Sequence, residues 1–278
     1  MSAGAPSGGP LQAERRGPFW LARLNRPEKR NALSDDLVGA LATLCTQVAS
    51  DLEARALVFW GAGSNFCAGG DFSGFLRLMT TEPGHGEDPI ATMNRGFGSL
   101  LEQVVALPIP TLAVVRGAAM GGGCGLAAAC DHVLAAEDAV FGMPEVSLGV
   151  APAQIAPFVM RRLGATRARW LMVSAAKLSA AEALTAGLAD EVVPATELAE
   201  AVGTALAALA SGEPAAVRAT KRIVNHGLQA ALPAVLDEAA REFAGLLRHG
   251  AAREGIAATV ARRAPAWRVG LPELPDFT

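Results

Sequence analysis

The chain has 278 residues, 51% hydrophobic and 18% charged, with mean hydropathy +0.30, enough apolar surface for one large core or a domain with an appendage. A net charge of −3, a pI near 5.9 and no long block of like charge argue against a nucleic-acid or membrane partner. Residues 1–18 hold small and turn residues with no apolar core of signal-peptide length, and read as a flexible tail. Residues 19–24 form a short apolar run ended by Asn25-Arg26-Pro27, a strand and a turn. Ser34-Asp35-Asp36 then offers helix-capping chemistry before Leu37, Leu41, Leu44 and Val48, whose spacing predicts a helix to about residue 52. Residues 56–60 read as a buried strand closed by Gly61-Ala62-Gly63. Residues 74–96, polar and containing Pro83, Gly84 and Gly86, read as a mobile surface loop of the kind that controls access to a site.

A helix is expected over 97–106, a strand over 112–115, and a glycine turn feeding a small-residue helix over 117–130. Short strands over 133–135 and 139–141 and helices over 152–163 and 166–173 follow. This alternation predicts an α/β fold with parallel pairing. From about Glu197 onward every segment reads as helix: 197–210, 214–226, 234–249 and 253–263. The longest charge-free apolar run after the tail, 117–130, is too short and too glycine-rich to span a bilayer, so a cytoplasmic protein is expected. Cys45, Cys67, Cys124 and Cys130 lie in apolar segments outside any CxxC pattern and are expected to be buried free thiols.

Three places could carry chemistry. Asn65-Phe66-Cys67-Ala68-Gly69-Gly70-Asp71 follows a buried strand, and its small residues at 68–70 let a ligand approach the main chain, so that backbone N–H groups can act as donors; an ordinary tight turn explains it too. Gly121-Gly122-Gly123 lies between a strand and a helix, where unpaired N–H groups and the positive dipole end suit an anion. Close helix–strand packing explains three glycines equally well. Two such donor sites on separate loops are what an oxyanion hole requires. Glu145 is an isolated carboxylate in a long apolar stretch, placed to be a general acid or base of raised pKa, or else half of a structural ion pair with Arg161 or Arg162. Asp131 reads as a structural capping or pairing residue. His85, His132, His226 and His249 show no metal spacing and read as surface or loop residues, and no nucleophile-elbow GxSxG, GxGxxG or Walker pattern is present.

The stretches LNRPEKRNAL (24–33), FCAGGD (66–71), GAAMGGGCGLAAACD (117–131), FGMPEVSLGV (141–150) and LSAAEALTAGLADEVVP (178–194) together resemble the crotonase (enoyl-CoA hydratase/isomerase) superfamily, over nearly all of residues 19–267. The resemblance implies a spiral core of ββα units over 19–196 and a helical trimerisation region over 197–278, commonly in a homotrimer or homohexamer. It implies an acyl-CoA thioester substrate, with no metal or redox cofactor, and a place in fatty acid metabolism. By the family pattern Ala68 and Gly122 supply the oxyanion-hole N–H groups, with Gly121 beside them. Lys29, Arg30 and Ala32 border the adenine end of CoA, Ala68, Gly69, Gly70 and Asp71 line the pantetheine tunnel, and Arg262 and Arg263 help to hold CoA, sometimes from a neighbouring subunit.

One position departs from the pattern. The two-glutamate hydratases carry a glutamate where this chain has Gly125, twenty residues before Glu145. Single-glutamate members include Δ3,Δ2-enoyl-CoA isomerases and hydratases of the methylglutaconyl-CoA and isohexenylglutaconyl-CoA type. Residues 149–159 are similar to the latter. The expectation is therefore reversible hydration of a branched or glutaconyl-like 2-enoyl-CoA, with isomerisation second and a non-catalytic CoA-binding scaffold third. Hydration without the missing carboxylate then needs water oriented by the substrate or by another polar group, for which Gln154 is a candidate.

Overall fold

The computed structural model describes residues 8–71, 88–228 and 230–277. Its main sheet has six strands in the order β1 (Leu11–Arg16), β2 (Phe19–Leu24), β3 (Ala56–Gly61), β4 (Thr111–Val115), β6 (His132–Ala136) and β9 (Glu191–Val193). β1 and β2 are antiparallel; every later pair in this sheet is parallel. A second sheet joins β5 (Ala118–Met120), β7 (Val140–Gly142) and β8 (Lys177–Ser179). The helices are α1 (Asp35–Ser50), α2 (Pro89–Ala106), α3 (Gly122–Ala129), α4 (Ala156–Leu163), α5 (Ala165–Ser174), α6 (Ala180–Ala186), α7 (Leu198–Ser211), α8 (Pro214–Gly227), α9 (Leu232–His249) and α10 (Ala252–Val260).

Two expectations are corrected. Residues 11–16, read as part of a flexible tail, form the edge strand β1, joined to β2 through Gly17 at φ +58. Only Leu11 of that strand is buried, and an edge strand with charged residues outward carries no apolar alternation to find. Residues 89–96, read as the end of a loop, are the first half of α2. Asp88 caps this helix by accepting from the Ile90 N–H at 2.8 Å, and Pro89 occupies its first turn, where its fixed φ suits the helix. The rest of the expected loop up to residue 87 lies outside the described residues.

Because successive strand side chains point to opposite faces, each apolar strand serves two cores. Leu24, Leu57, Phe59, Ala113, Val115, Val133 and Ala135 pack against Leu37, Leu41 and Leu44 of α1, Leu101 and Val104 of α2, and Leu126 of α3. Phe19, Leu21, Val58, Leu112, Val114 and Leu134 face the other way, toward Leu198, Val202, Leu206 and Ala210 of α7. The first helix of the C-terminal helical run thus closes the second face of the sheet. Phe277 completes it, meeting the Trp60 ring edge-on at 5.2 Å. α8 and α9 are tied by Arg222–Glu242 and His226–Glu238 contacts. All four cysteines are free and buried, and no described helix is long and apolar enough to cross a membrane.

The turn after β2 and the loop after β3 are fastened together by Asn31. This residue is fully buried at φ +56, donates from Nδ2 to the Ala62 (2.9 Å) and Asn65 (2.7 Å) carbonyls, and accepts from the Arg26 N–H (2.9 Å). Asn31→Ala leaves these buried groups without partners, at about 1–3 kcal/mol each, and places alanine in a left-handed conformation. We expect a clearly lower urea midpoint with an unchanged slope; an unaltered midpoint would show that the junction does not depend on this amide.

Candidate active site

The site grows from the loops that leave the C-terminal ends of the parallel strands, where open α/β sheets place their ligands. Residues 67–71, following β3, run between two neighbours. On one side the Cys67 N–H donates to Ala118 O and the Met120 N–H to Cys67 O, both at 2.9 Å. On the other side the Leu33 N–H donates to Gly69 O (2.7 Å) and the Asp71 N–H to Leu33 O (3.0 Å). Arg26 locks this side, donating to Ala32 O and pairing with Asp71 at 2.8 Å. Arg30, left-handed at φ 50, and Leu33 therefore border residues 68–71, with Lys29 and Ala32 in the same stretch of chain.

Ala68 does not stand as that pattern assigned it. Its N–H donates to the Arg30 carbonyl at 2.9 Å and is occupied. Two residues on, the Gly70 N–H has no acceptor among the described residues. It lies between the Leu33-bonded Gly69 carbonyl and Asp71 N–H, so the alternation of an extended chain turns it away from Leu33. From the second loop, Gly121 at φ +50 precedes α3, and the N–H groups of Gly122, Gly123 and Cys124 form a first helical turn that has no intrahelical acceptors.

The two loops nearly touch because neither carries a Cβ. A Cβ on Gly69 (φ +96) would lie 2.9 Å from Met120 O and 3.8 Å from the Gly121 Cα. A Cβ on Gly121 would lie 2.9 Å from Glu145 Oε1 and 3.9 Å from the Gly69 Cα. The Glu145 carboxylate is thus seated at the meeting point of the loops.

Glu145 opens a short 3-10 helix, Glu145–Leu148, after β7 and Pro144. Its Oε2 is buried without a hydrogen-bond partner. Burial pushes the Glu145 carboxyl above its ordinary range, against a smaller opposing pull from its own backbone N–H. Neither arginine weighed as an ion-pair partner serves it. Arg162 donates to Cys130 O (2.9 Å) and Leu188 O (3.0 Å) and pairs with Asp190; Arg161 lines a cleft with Glu102, Phe158 and Lys221. The nearby Cys124 thiol is pushed up to about 12, by burial first and by the Glu145 charge second, and is no nucleophile at neutral pH.

The walls are apolar. A Cβ on Gly122 would meet Leu33 Cδ1 at 2.7 Å and the Phe97 ring at 3.2 Å. A Cβ on Gly125 would collide with Ile155 Cγ2, lie 2.8 Å from Ile155 Cβ, and stand 3.6 Å from Leu101 Cδ1. Buried Ile155 therefore occupies the space at which a side chain on residue 125 would start. Beside it Gln154 Nε2 donates to Asn94 Oδ1 at 3.0 Å, and Gln154 Oε1 crowds the Cα of Gly98.

Other candidates fall elsewhere. Arg263 pairs with Glu254 (2.7 Å), which also accepts from the Ala266 N–H, and Arg262 is left-handed at φ 51. This region is anchored through Trp267, whose carbonyl accepts from Arg55 at the start of β3. Within one chain the basic pair thus belongs to the opposite end of β3 from the loops. Asp131 is structural as expected, accepting from the Thr111 N–H (2.7 Å) and Lys221 (2.6 Å). His132 heads β6 beside Asp190 (3.5 Å) and His226 lies within α8 against Glu238 (2.6 Å), so these two are element residues with carboxylate neighbours rather than loop residues. His85 and the His249 side chain lie outside the described residues. The sequence alone did not bring out Asn94 or Ile155 as the filler of the residue-125 space, and among the amides of residues 68–70 the family pattern singled out Ala68 rather than Gly70; only the Asp88-Pro89 helix start could have brought Asn94 into view.

A Gly70 N–H free among the described residues and the open first turn of α3, on loops that meet beside the half-buried Glu145 carboxylate, suit an acyl-transfer or enolate-type site on an α/β scaffold. Comparison with known proteins narrows this. The family model "enoyl-CoA hydratase/isomerase" matches residues 19–269. A solved enoyl-CoA hydratase/isomerase from Marinobacter aquaeolei superposes with a TM-score of 0.90 at 37% identity, covering 94% of this chain and 99% of that one. Pseudomonas aeruginosa AtuE superposes with a TM-score of 0.89 at 41% identity, covering 94% and 100%. A probable enoyl-CoA hydratase of Rhizobium meliloti (strain 1021) is 35% identical over 255 residues, 91% of this chain and 95% of that protein. The chain belongs to the enoyl-CoA hydratase/isomerase family, and it is an enzyme of that hydratase or isomerase kind.

Gly125→Glu should be destabilising by about 1–3 kcal/mol, because the new side chain must displace Ile155. Ile155→Ala, costly alone, should cost less in the Gly125→Glu background. A thermal-unfolding double-mutant cycle reads this coupling, and strict additivity of the two changes would contradict the overlap.

Proposed function

We propose that this enzyme is an enoyl-CoA hydratase that adds water reversibly to a branched or glutaconyl-type 2-enoyl-CoA, with Glu145 as its single proton carrier. The observation that carries the reading is the half-buried Glu145 carboxylate, its Oε2 buried without a partner, at the junction of the Gly69–Gly70 and Gly121–Gly122 loops. An unpaired buried carboxylate costs stability and is retained where chemistry needs it. The substrate class rests on the similarity of residues 149–159 to single-glutamate hydratases.

The thioester oxygen lies between the Gly70 and Gly122 N–H groups, Gly70 taking the part that the sequence pattern gave to Ala68. Water attacks C3 as its proton passes to the Glu145 carboxylate, and the C2=C3 π electrons move into the thioester as an enolate. Glu145 then returns that proton to C2, the enolate collapses, and the carboxylate is regenerated. One water is consumed and one carboxylate suffices. Each backbone donor aimed at the enolate oxygen is worth about 2.7–4 kcal/mol. In the assembly we propose a trimer or a dimer of trimers, with the CoA adenine beside Lys29, Arg30 and Ala32. Arg262 and Arg263, remote from the loops in their own chain, would serve the site of a neighbouring subunit.

Ile155 gives a second reading a specific footing. An apolar residue where a first carboxylate would project suits a Δ3,Δ2-enoyl-CoA isomerase, whose one base moves a proton between C2 and C4 without water. Ultraviolet absorbance of the conjugated enoyl thioester separates the two. A hydratase removes the signal from 2-enoyl-CoA, whereas an isomerase creates it from 3-enoyl-CoA. Silence with both, across straight, branched and carboxylated acyl groups, would leave only a CoA-binding scaffold.

Glu145→Gln should lower turnover by about 10²–10⁴-fold with acyl-CoA binding retained; full activity in this variant would overturn the mechanism. Because burial raises the Glu145 pKa above the ordinary 4.5, kcat/KM should fall on the acid side with a midpoint above that value. The sign for stability is opposite. The folded state holds this proton more tightly than the unfolded chain, so the penalty is fully present above the raised pKa and fades as pH falls through it. Glu145→Gln should therefore raise Tm at neutral pH, by an increment that shrinks on acidification.

A further inference from the structure

The helices around α3 are arranged in register. Leu101 of α2 stands over Gly125 and Phe97 over Gly122. Moving back along α2 by one further turn, roughly 5 Å, brings Asn94 past the first residue of α3, toward the space its free N–H groups face. Gln154 reaches the same place from the segment before α4, its Nε2 on Asn94 Oδ1 and its Oε1 at Gly98. Both side chains are half-buried. The segment that brings Gln154 there also supplies Ile155, which fills the space a carboxylate on residue 125 would need. The residue that takes the room of the lost carboxylate thus brings a neutral amide with it, bonded to a second on α2, while the Arg95 guanidinium beside Gly98 is engaged by Ser99 and Glu102.

Two carboxamides have four N–H donors and two carbonyl acceptors, and their mutual bond uses one donor and one lone pair. The remainder can both donate to and accept from a water. Neither amide can take a proton, so neither competes with Glu145.

We propose that Asn94 and Gln154 are the positioning residues that hold the attacking water against C3 of the enoyl thioester, in place of a carboxylate at residue 125. This rests on the hydratase reading. The water gives its oxygen to C3 and its proton to Glu145, and the amides emerge unchanged.

The experiment compares two reactions of the same enzyme. Hydration of 2-enoyl-CoA requires a placed water, whereas exchange of the C2 hydrogen of a saturated acyl-CoA with D2O requires only the backbone donors and Glu145. Gln154→Leu should lower hydration kcat at least tenfold relative to C2 exchange, with KM little changed. Asn94→Ala, on a helix where alanine is well tolerated, should shift the same ratio and carries the test if the leucine variant does not fold. Both rates falling together, or hydration persisting at the wild-type ratio in both variants, would overturn the assignment while leaving the hydratase reading intact. A wild-type enzyme that exchanges C2 hydrogen but hydrates no 2-enoyl-CoA would overturn the hydratase reading and the assignment with it.

Discussion

The site depends on how closely two pieces of backbone can approach a carboxylate. Gly69 and Gly121 have left-handed φ values and no side chain, and Glu145 Oε1 fills the space that a Cβ on Gly121 would claim. Nothing larger than hydrogen fits on either glycine without moving the carboxylate or the Met120 carbonyl. On the proposed mechanism the donors and Glu145 are thereby held before substrate arrives, as electrostatic catalysis requires, with no reorganisation when charge appears. The penalty is a carboxylate desolvated on one oxygen with no partner.

The rest of the architecture holds this approach in place. β3 and β4, buried on both faces, fix where their following loops begin. Asn31 and Arg26 bind the turn after β2 to the loop after β3, so residues 68–71 are clamped from both sides. β5 and β7 form a small sheet whose Gly121 N–H to Gly142 O bond (2.8 Å) brings α3 and the Glu145 turn together. The parts of the candidate site come from distant stretches of sequence, and three hydrogen-bonded junctions rather than one core bring them together.

Much of this was legible from residues alone, for identifiable reasons. The buried strands and amphipathic helices announced themselves through apolar runs and 3.6-residue spacing, and Ser34 and Glu145 stood out as polar residues in telling places. What escaped did so because the signal was not local. β1 has a polar face and only one buried residue, so its strand character lies in its partner. Which of the Ala68 to Gly70 amides remains free depends on the Arg30 carbonyl, a contact across 38 residues that no motif spacing reports. The same holds for Gly125: its sequence shows that a carboxylate is missing, but only packing shows that Ile155 has taken the room.

The arrangement of the second core has a bearing on how the chain is made. One face of the main sheet is covered by α7 and sealed by Phe277, which pack on strands that begin at Phe19. During synthesis that apolar face has no cover until residues 198–210 have emerged, and no seal until residue 277 has been added. Nascent chains carrying all six strands still expose a sticky surface, the condition in which long α/β proteins are most prone to clump and most in need of a chaperone. A fusion placed directly after Phe277 would sit against this seal, so a spacer there should help the protein to mature.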